Sequence, residues 1–135
     1  MISKDEFQAV IGRGSVTDDP QVLERYASDN SYTAPKRPAL VVSPTTRDEV
    51  IAVVKLAHAK DVKLVPVSSG PPHFRGDTIP AVKDAVIVDL TRMNRIEWIN
   101  RRNRVACVEP GVTFDQLQRQ LERQGMRAMI PLSPR

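Results

Sequence analysis

The sequence predicts an α+β domain, a small βαβ layer with helices followed by the start of an antiparallel sheet. The runs "ALVV", "TTRDEVIAVVKLAHAKD" and "VKLVPV" give β, α, β in about 30 residues, as a parallel βαβ unit needs. Beyond them "RIEWIN" and "RVACVE" are strand-like runs joined only by the polar "RRN". The helical segments between and after these runs open on capping signals.

From the N-terminus, "SKDE" places Ser3 as a cap with Glu6 reaching back, and Phe7, Val10 and Ile11 fall on one helical face. Gly12 and Gly14 end that helix. In "TDDPQVLERYA", Thr17 or Asp18 serves as N-cap and Pro20 suits the first turn, so a second helix runs to about Tyr26. "SDNSYTAPKRP" holds turn formers and no apolar period, hence a loop. Pro44 stops the following strand, and Thr46 with Glu49 makes a capping box ahead of a stripe of Val50, Val53, Val54 and Ala57. "AVIVDL" reads as a third strand. "TFDQLQRQLERQG" opens on a second box, Thr113 and Gln116, with Phe114, Leu117 and Leu121 on one face and Gly125 suited to the left-handed position after the last turn. "MRAMIPLSPR" begins like a strand and breaks off among prolines.

With 135 residues, 41% of them hydrophobic, the chain suffices for one domain with a core of its own, which excludes disorder as the main answer. The single cysteine, Cys107, and two histidines exclude an internal disulfide and a Cys/His metal cluster. The opening "MISKDEFQAVIGRG" has early acids and no long apolar run, so neither a signal peptide nor a membrane span is expected, and the expected location is cytoplasmic. Net charge is +4, and residues 91–135 hold nine Lys and Arg against four Asp and Glu, so that half could meet an anion or could equally be a solvated face or an interface. Aromatics at 4% leave little to stack on bases, which argues against nucleic acid.

The stretch "VPVSSGPPHFRGDTIP" follows the second strand of the βαβ unit, where open α/β sheets bind ligands. Ser68, Ser69 and Gly70 offer backbone N–H groups and small side chains to a phosphate, Arg75 a positive charge, and Gly76 a second sharp bend. Against this, Gly and Pro more often mean only a turn, and Pro71 and Pro72 each remove a donor.

From about Leu23 to Pro134 the chain resembles the N-terminal half of the FAD-binding, PCMH-type domain of the vanillyl-alcohol oxidase family, which includes glycolate oxidase and D-lactate dehydrogenase flavoproteins. The resemblance rests on "YASDNSYTAPKRPALVVSPTTRDEVIAVVKLAHAKDVKLVPV", "VIVDLTRMNRIEWIN" and "VEPGVTFDQLQRQLERQG", in that order and spacing. It implies FAD, and oxidation of a hydroxy acid or alcohol through the flavin. Where the family's loop reads P-R-G-G-G-T-S-x-x-x-G, this chain keeps Pro66, Gly70 and Gly76, has Val67 for the arginine, Ser68 and Ser69 for two glycines, and Pro71 and Pro72 for the Thr-Ser pair.

The implied cofactor-binding residues are Pro66, Ser68, Ser69, Gly70, Arg75, Gly76 and Gly111, the last in the "PGV" turn. Some relatives attach FAD covalently through a loop histidine aligned nearer Pro71, so non-covalent binding is expected, with His73 a pocket wall or exposed. The family's second glycine-rich segment and substrate domain have no counterpart in residues 1–135. The expectation is an incomplete FAD-binding domain that holds the adenine and pyrophosphate part and is inactive by itself. The alternatives are a cofactor-free unit docking a larger flavoprotein chain or second subunit, and a basic nucleic-acid-binding domain.

Bland readings are preferred elsewhere. Tyr26, Asp29 and Tyr32 are assigned to the loop, and Asp89 to capping the turn into "LTRMN". Glu109 reads as a strand-end charge, Cys107 as a small buried hydrophobe, and Arg119 and Arg123 as a solvated helix face. "GRG" at residues 12–14 follows no strand and is no dinucleotide fingerprint.

Overall fold

The computed structural model describes residues 3–68 and 73–129. Three helices, α1 (Lys4–Ile11), α2 (Pro20–Arg25) and α3 (Arg47–Ala59), pack on a sheet of β1 (Val16–Thr17), β2 (Leu40–Val42), β3 (Leu64–Val67) and β4 (Val86–Asp89). The strand order is β1-β2-β4-β3, with β4 parallel to both its neighbours and β1 antiparallel to β2. The expected parallel β-α-β crossover forms, but β4 inserts between its two strands. An insertion of this kind is reasonable for "AVIV", which is apolar on both faces and suits a central position.

Strand alternation divides the core in two. Leu40, Val42, Val86 and Val88 face Phe7 and Ile11 of α1 and Val53 of α3, while Val41, Ile87 and Val67 face Leu23 of α2. Ile87 has no exposed surface, so its burial contributes about 1.5–3 kcal/mol.

Several local expectations are corrected. Val10, Val54 and Phe114 lie on the solvent side of their helices, at 40%, 49% and 39% exposure, because the inward faces are carried by Phe7 and Ile11, by Val53, Leu56 and Ala57, and by Leu117 and Leu121. Ser3 makes no side-chain cap, and α2 is capped by Asp19, whose carboxylate accepts from Gln21 N at 2.8 Å. Thr46 caps α3, accepting from Glu49 N, but the Glu49 carboxylate reaches one residue further, to Thr45 N at 2.6 Å. Thr113 caps its helix as expected, yet the Gln116 amide donates to Asn94 O rather than back to the cap. The short β1 was not anticipated, since two residues carry no readable period.

The "RIEWIN" and "RVACVE" runs form the antiparallel hairpin β5 (Ile96–Asn100) and β6 (Val105–Val108), a separate two-stranded sheet followed by α4 (Phe114–Glu122). Glu109 is more than a strand-end charge. Its buried carboxylate accepts from Arg95 N and from Arg95 Nη2, both at 2.8 Å, and clamps the base of the hairpin. Cys107 is partly exposed, because the face it shares with Trp98 is uncovered. Gly125 is left-handed at φ 69°, as its place after α4 requires. Residues 126–129 form no strand. There Met126 N is held by Leu121 O, and Ala128 N by the Gln118 side chain.

Candidate functional site

The carboxyl ends of β3 and β4 and the loop after α2 enclose a cavity of about 410 Å³, whose wall includes Tyr26, Asp29, Ser68, His73, Asp89 and Thr91. Backbone geometry places each of them. Ser68 directly follows β3 and Asp89 is the last residue of β4. Tyr26 stands at the end of α2, and His73 is tied to the α2 loop by a bond from Asn30 N to His73 O at 2.9 Å.

Both carboxylates in this wall are held by their own surroundings. Asp89 Oδ1 accepts from Thr91 N at 2.9 Å and Thr91 Oγ1 at 2.7 Å, and Oδ2 accepts from the Tyr26 hydroxyl at 2.8 Å. Burial first, and then this bond to Asp89, push the Tyr26 hydroxyl well above the ordinary tyrosine range, so it stays a donor. Asp29 Oδ1 accepts from Ser31 N at 2.9 Å and Oδ2 from Gly76 N at 2.7 Å. Hydrogen bonds from Ser31, followed by those from Gly76 and the charge of nearby His73, hold its carboxyl below the usual range.

One polar atom is left over. His73 Nε2 is buried and has no hydrogen-bond partner among the described residues. An unsatisfied buried group of this kind costs about 1–3 kcal/mol and calls for an explanation. Arg25, Asn30 and Thr78 complete the polar part of the wall.

Of the implied cofactor-binding residues that are described, the structure brings only Ser68 into the wall of this cavity. Pro66 lies within β3 opposite Val88, on an edge strand where a missing N–H is tolerated. Arg75 is exposed and is not part of the wall. Gly76 has φ 74°, and a Cβ there would lie 2.1 Å from Thr33 Oγ1, so the α2 loop itself requires the glycine. A Cβ on Gly111 would meet the carbonyl oxygens of Thr91, Met93 and Leu90 at 2.5, 2.6 and 2.8 Å. Its close approach is therefore to the turn that carries Thr91. Ser69 and Gly70 lie outside the described residues.

His73 lines the cavity, the first of the two places the sequence allowed it, whereas sequence reasoning passed over Tyr26 and Asp29 as cavity residues. Only the tertiary pairing of Tyr26 with Asp89, 63 positions apart, and of Asp29 with Gly76, 47 apart, reveals them. The reading of Asp89 as a cap for the following turn agrees with its bonds to Thr91. Tyr32 is fully exposed.

A larger cavity of about 690 Å³ lies between the hairpin and α4, walled mainly by Ile99, Leu117, Leu121 and Met126. Its wall is mostly apolar, and it lacks the strand-end carboxylates of the first. Among the described residues no cluster of three His, Cys, Asp or Glu could hold a metal, and no helix is long and apolar enough to cross a membrane.

Comparison with known proteins bears on the same region. A family model described as FAD binding domain matches residues 38–134. The chain is 33% identical over 127 residues to 1'-carboxy-chondrochloren decarboxylase of Chondromyces crocatus, covering 94% of this chain and 23% of that protein. It is 32% identical over 122 residues to D-2-hydroxyglutarate dehydrogenase of Stutzerimonas stutzeri (strain A1501), covering 90% and 26%. The crystal structure of p-cresol methylhydroxylase with substrate bound superposes with a TM-score of 0.82 at 29% identity, over 96% of this chain and 25% of that one. The chain thus spans about a quarter of the length of these proteins.

Proposed function

This chain belongs to the FAD binding domain family, and from that premise we propose that it holds the adenine and diphosphate part of FAD, non-covalently, in the cavity at the ends of β3 and β4. The observation that carries this reading is the cavity's polar inventory. Two carboxylates are satisfied internally, and a buried imidazole nitrogen is left without a partner. Such a wall has donors to offer a ligand and no unmet acceptor demand of its own. Ser68, Asn30, Thr78, Arg25 and His73 would face the nucleotide, and Gly111 would support the turn behind Thr91.

When bound, FAD supplies hydride acceptance, and the activity proposed for the whole protein is oxidation of a hydroxy acid or alcohol. The D-2-hydroxyglutarate dehydrogenase relative supports that substrate class. The test is visible absorption of the purified chain before and after FAD is added, followed by desalting and acid precipitation. Flavin bands that survive desalting and leave the protein in acid are expected. A colourless protein that takes up no FAD would refute the reading, and flavin pelleting with the protein would refute its non-covalent part.

A second reading, docking on further flavoprotein polypeptide, is favoured by the uncovered apolar hairpin. Trp98, Val105 and Val108 are 53%, 49% and 39% exposed, beside the apolar cavity against α4. Co-purification with a flavoprotein chain, lost on Trp98→Glu, is its expected signature.

A further inference from the structure

Asp29 stands in the wall of a cavity proposed to hold an anionic ligand, where a negative charge by itself opposes binding. Its bonds supply a reason for it. Oδ1 accepts from Ser31 N at 2.9 Å within the loop after α2, and Oδ2 accepts at 2.7 Å from Gly76 N, 47 positions away. The next residue adds a second tie, since Asn30 N donates to His73 O at 2.9 Å. A third restraint is steric: a Cβ at Gly76 would lie 2.1 Å from Thr33 Oγ1 and 3.2 Å from Ser31 Oγ. Residues 73–76 are thus held at both ends by residues 29–33, and His73 and Thr78, on either side of Gly76, line the cavity.

We propose that Asp29 is a positioning residue for nucleotide binding, acting through Gly76 rather than on the ligand, and that it fixes the segment from His73 to Thr78 in the cavity wall before the ligand arrives. A carboxylate suits this task because it offers two acceptor oxygens and no competing donor, so it can hold an amide from each of two chain segments at once. An asparagine has one acceptor oxygen and can serve only one of them. A wall ordered in advance spares the ligand the cost of ordering it, and that gain outweighs the repulsion of one carboxylate already neutralised in part by two N–H donors.

This inference rests on the reading of the cavity as the FAD site. Charge and positioning predict opposite signs: removing a carboxylate near an anionic ligand tightens binding if charge alone matters, and weakens it if position does. The probe is FAD, titrated calorimetrically into the wild-type chain, Asp29→Ala, Asp29→Asn and Asp77→Asn. Asp77 is exposed and adjoins Gly76, so Asp77→Asn removes a neighbouring charge and keeps the tie. Its affinity is expected to equal the wild type's or exceed it. Asp29→Ala is expected to weaken FAD about tenfold, as loss of a hydrogen bond to a charged group does, and Asp29→Asn to fall between the two. Amide hydrogen exchange in the ligand-free chain separates positioning from general stability. Exchange at Gly76 should speed up in Asp29→Ala while that at Ile87, in the core of the sheet, stays as it was.

An affinity in Asp29→Ala equal to the wild type's or tighter would overturn this inference and leave the cofactor reading standing. Weaker binding with Ile87 exchange accelerated as much as that of Gly76 would also overturn it, by assigning Asp29 to the stability of the whole domain. Should Asp29→Ala fail to fold, the same two comparisons on Asp29→Asn decide. A wild-type chain that binds no FAD would remove the cofactor reading and this inference with it.

Discussion

Replacing Gly111 with alanine tests how the cavity's rear turn is held. The added Cβ would lie 2.5, 2.6 and 2.8 Å from the carbonyl oxygens of Thr91, Met93 and Leu90. Contacts between carbon and oxygen settle near 3.3–3.6 Å, so each oxygen must retreat by roughly 0.5–1 Å. No rotamer change can provide that, because all three are backbone atoms. Gly111 N also donates to Met93 O at 2.7 Å, so a backbone shift lengthens that bond as well. Overpacking costs about 1–3 kcal/mol, and three simultaneous clashes with backbone place the expected loss at the top of that range, about 3 kcal/mol. The assay is urea unfolding followed by far-UV circular dichroism at constant slope. Gly14→Ala is the control, for nothing lies within 4 Å of its Cβ and the change is expected to stay within about 0.5 kcal/mol. Because the turn carries Asp89 and Thr91, Gly111→Ala should also weaken FAD. Equal stability of the two alanine variants would refute the reasoning.

Tyr26→Phe removes the donor to Asp89 Oδ2 and is expected to lower stability by about 1 kcal/mol in the same assay, since a half-buried acceptor loses its partner. Gly76→Ala should be destabilising through the clash with Thr33 Oγ1 and through its positive φ, and adding Thr33→Ala should restore only the first part, measured as a coupling in a double-mutant cycle. The Glu49 carboxyl is held below the usual range, first by the bond from Thr45 N. Its stabilising effect is therefore complete above the ordinary carboxylate value and is lost as pH falls through the lowered one. Urea midpoints of wild type and Glu49→Gln should differ at pH 7 and converge in acid, and a constant gap would contradict this.

Elements with strong local signals were legible in the sequence, and partners chosen over long separations were not. The caps at Thr46 and Thr113, the left-handed Gly125 and the β5–β6 hairpin each follow from a few neighbouring residues. The insertion of β4 between β2 and β3 does not, because a crossover helix marks its two strands as parallel without showing whether a third strand lies between them. The cavity divides the same way. Ser68 was found from its place after a strand, whereas Tyr26 and Asp29 looked like ordinary loop residues until the fold brought Asp89 and Gly76 to them. Gly76 and Gly111 were noticed as glycines near a nucleotide site, but their surroundings show that neighbouring chain, Thr33 and the turn at 90–93, fills the space beside them.

The two halves of the structure are held by different means, and this bears on how the cavity is built. The four-stranded sheet is covered on both faces by helices, and nearly all the fully buried side chains belong to it. In the described part of the hairpin and α4 the one buried hydrophobic side chain is Leu121, still 8% exposed, and this half is tied to the sheet through Met93, the Glu109–Arg95 clamp and Gly111. Those ties converge on the turn between β4 and β5, the turn that presents Asp89 and Thr91 to the cavity. A displacement of the hairpin therefore acts on the cavity wall through backbone contacts at Gly111, without any side chain of β5 or β6 reaching the site. A partner docked over Trp98 and the apolar face beside α4, as the second reading above proposes, would thus steady the turn and with it the cavity wall.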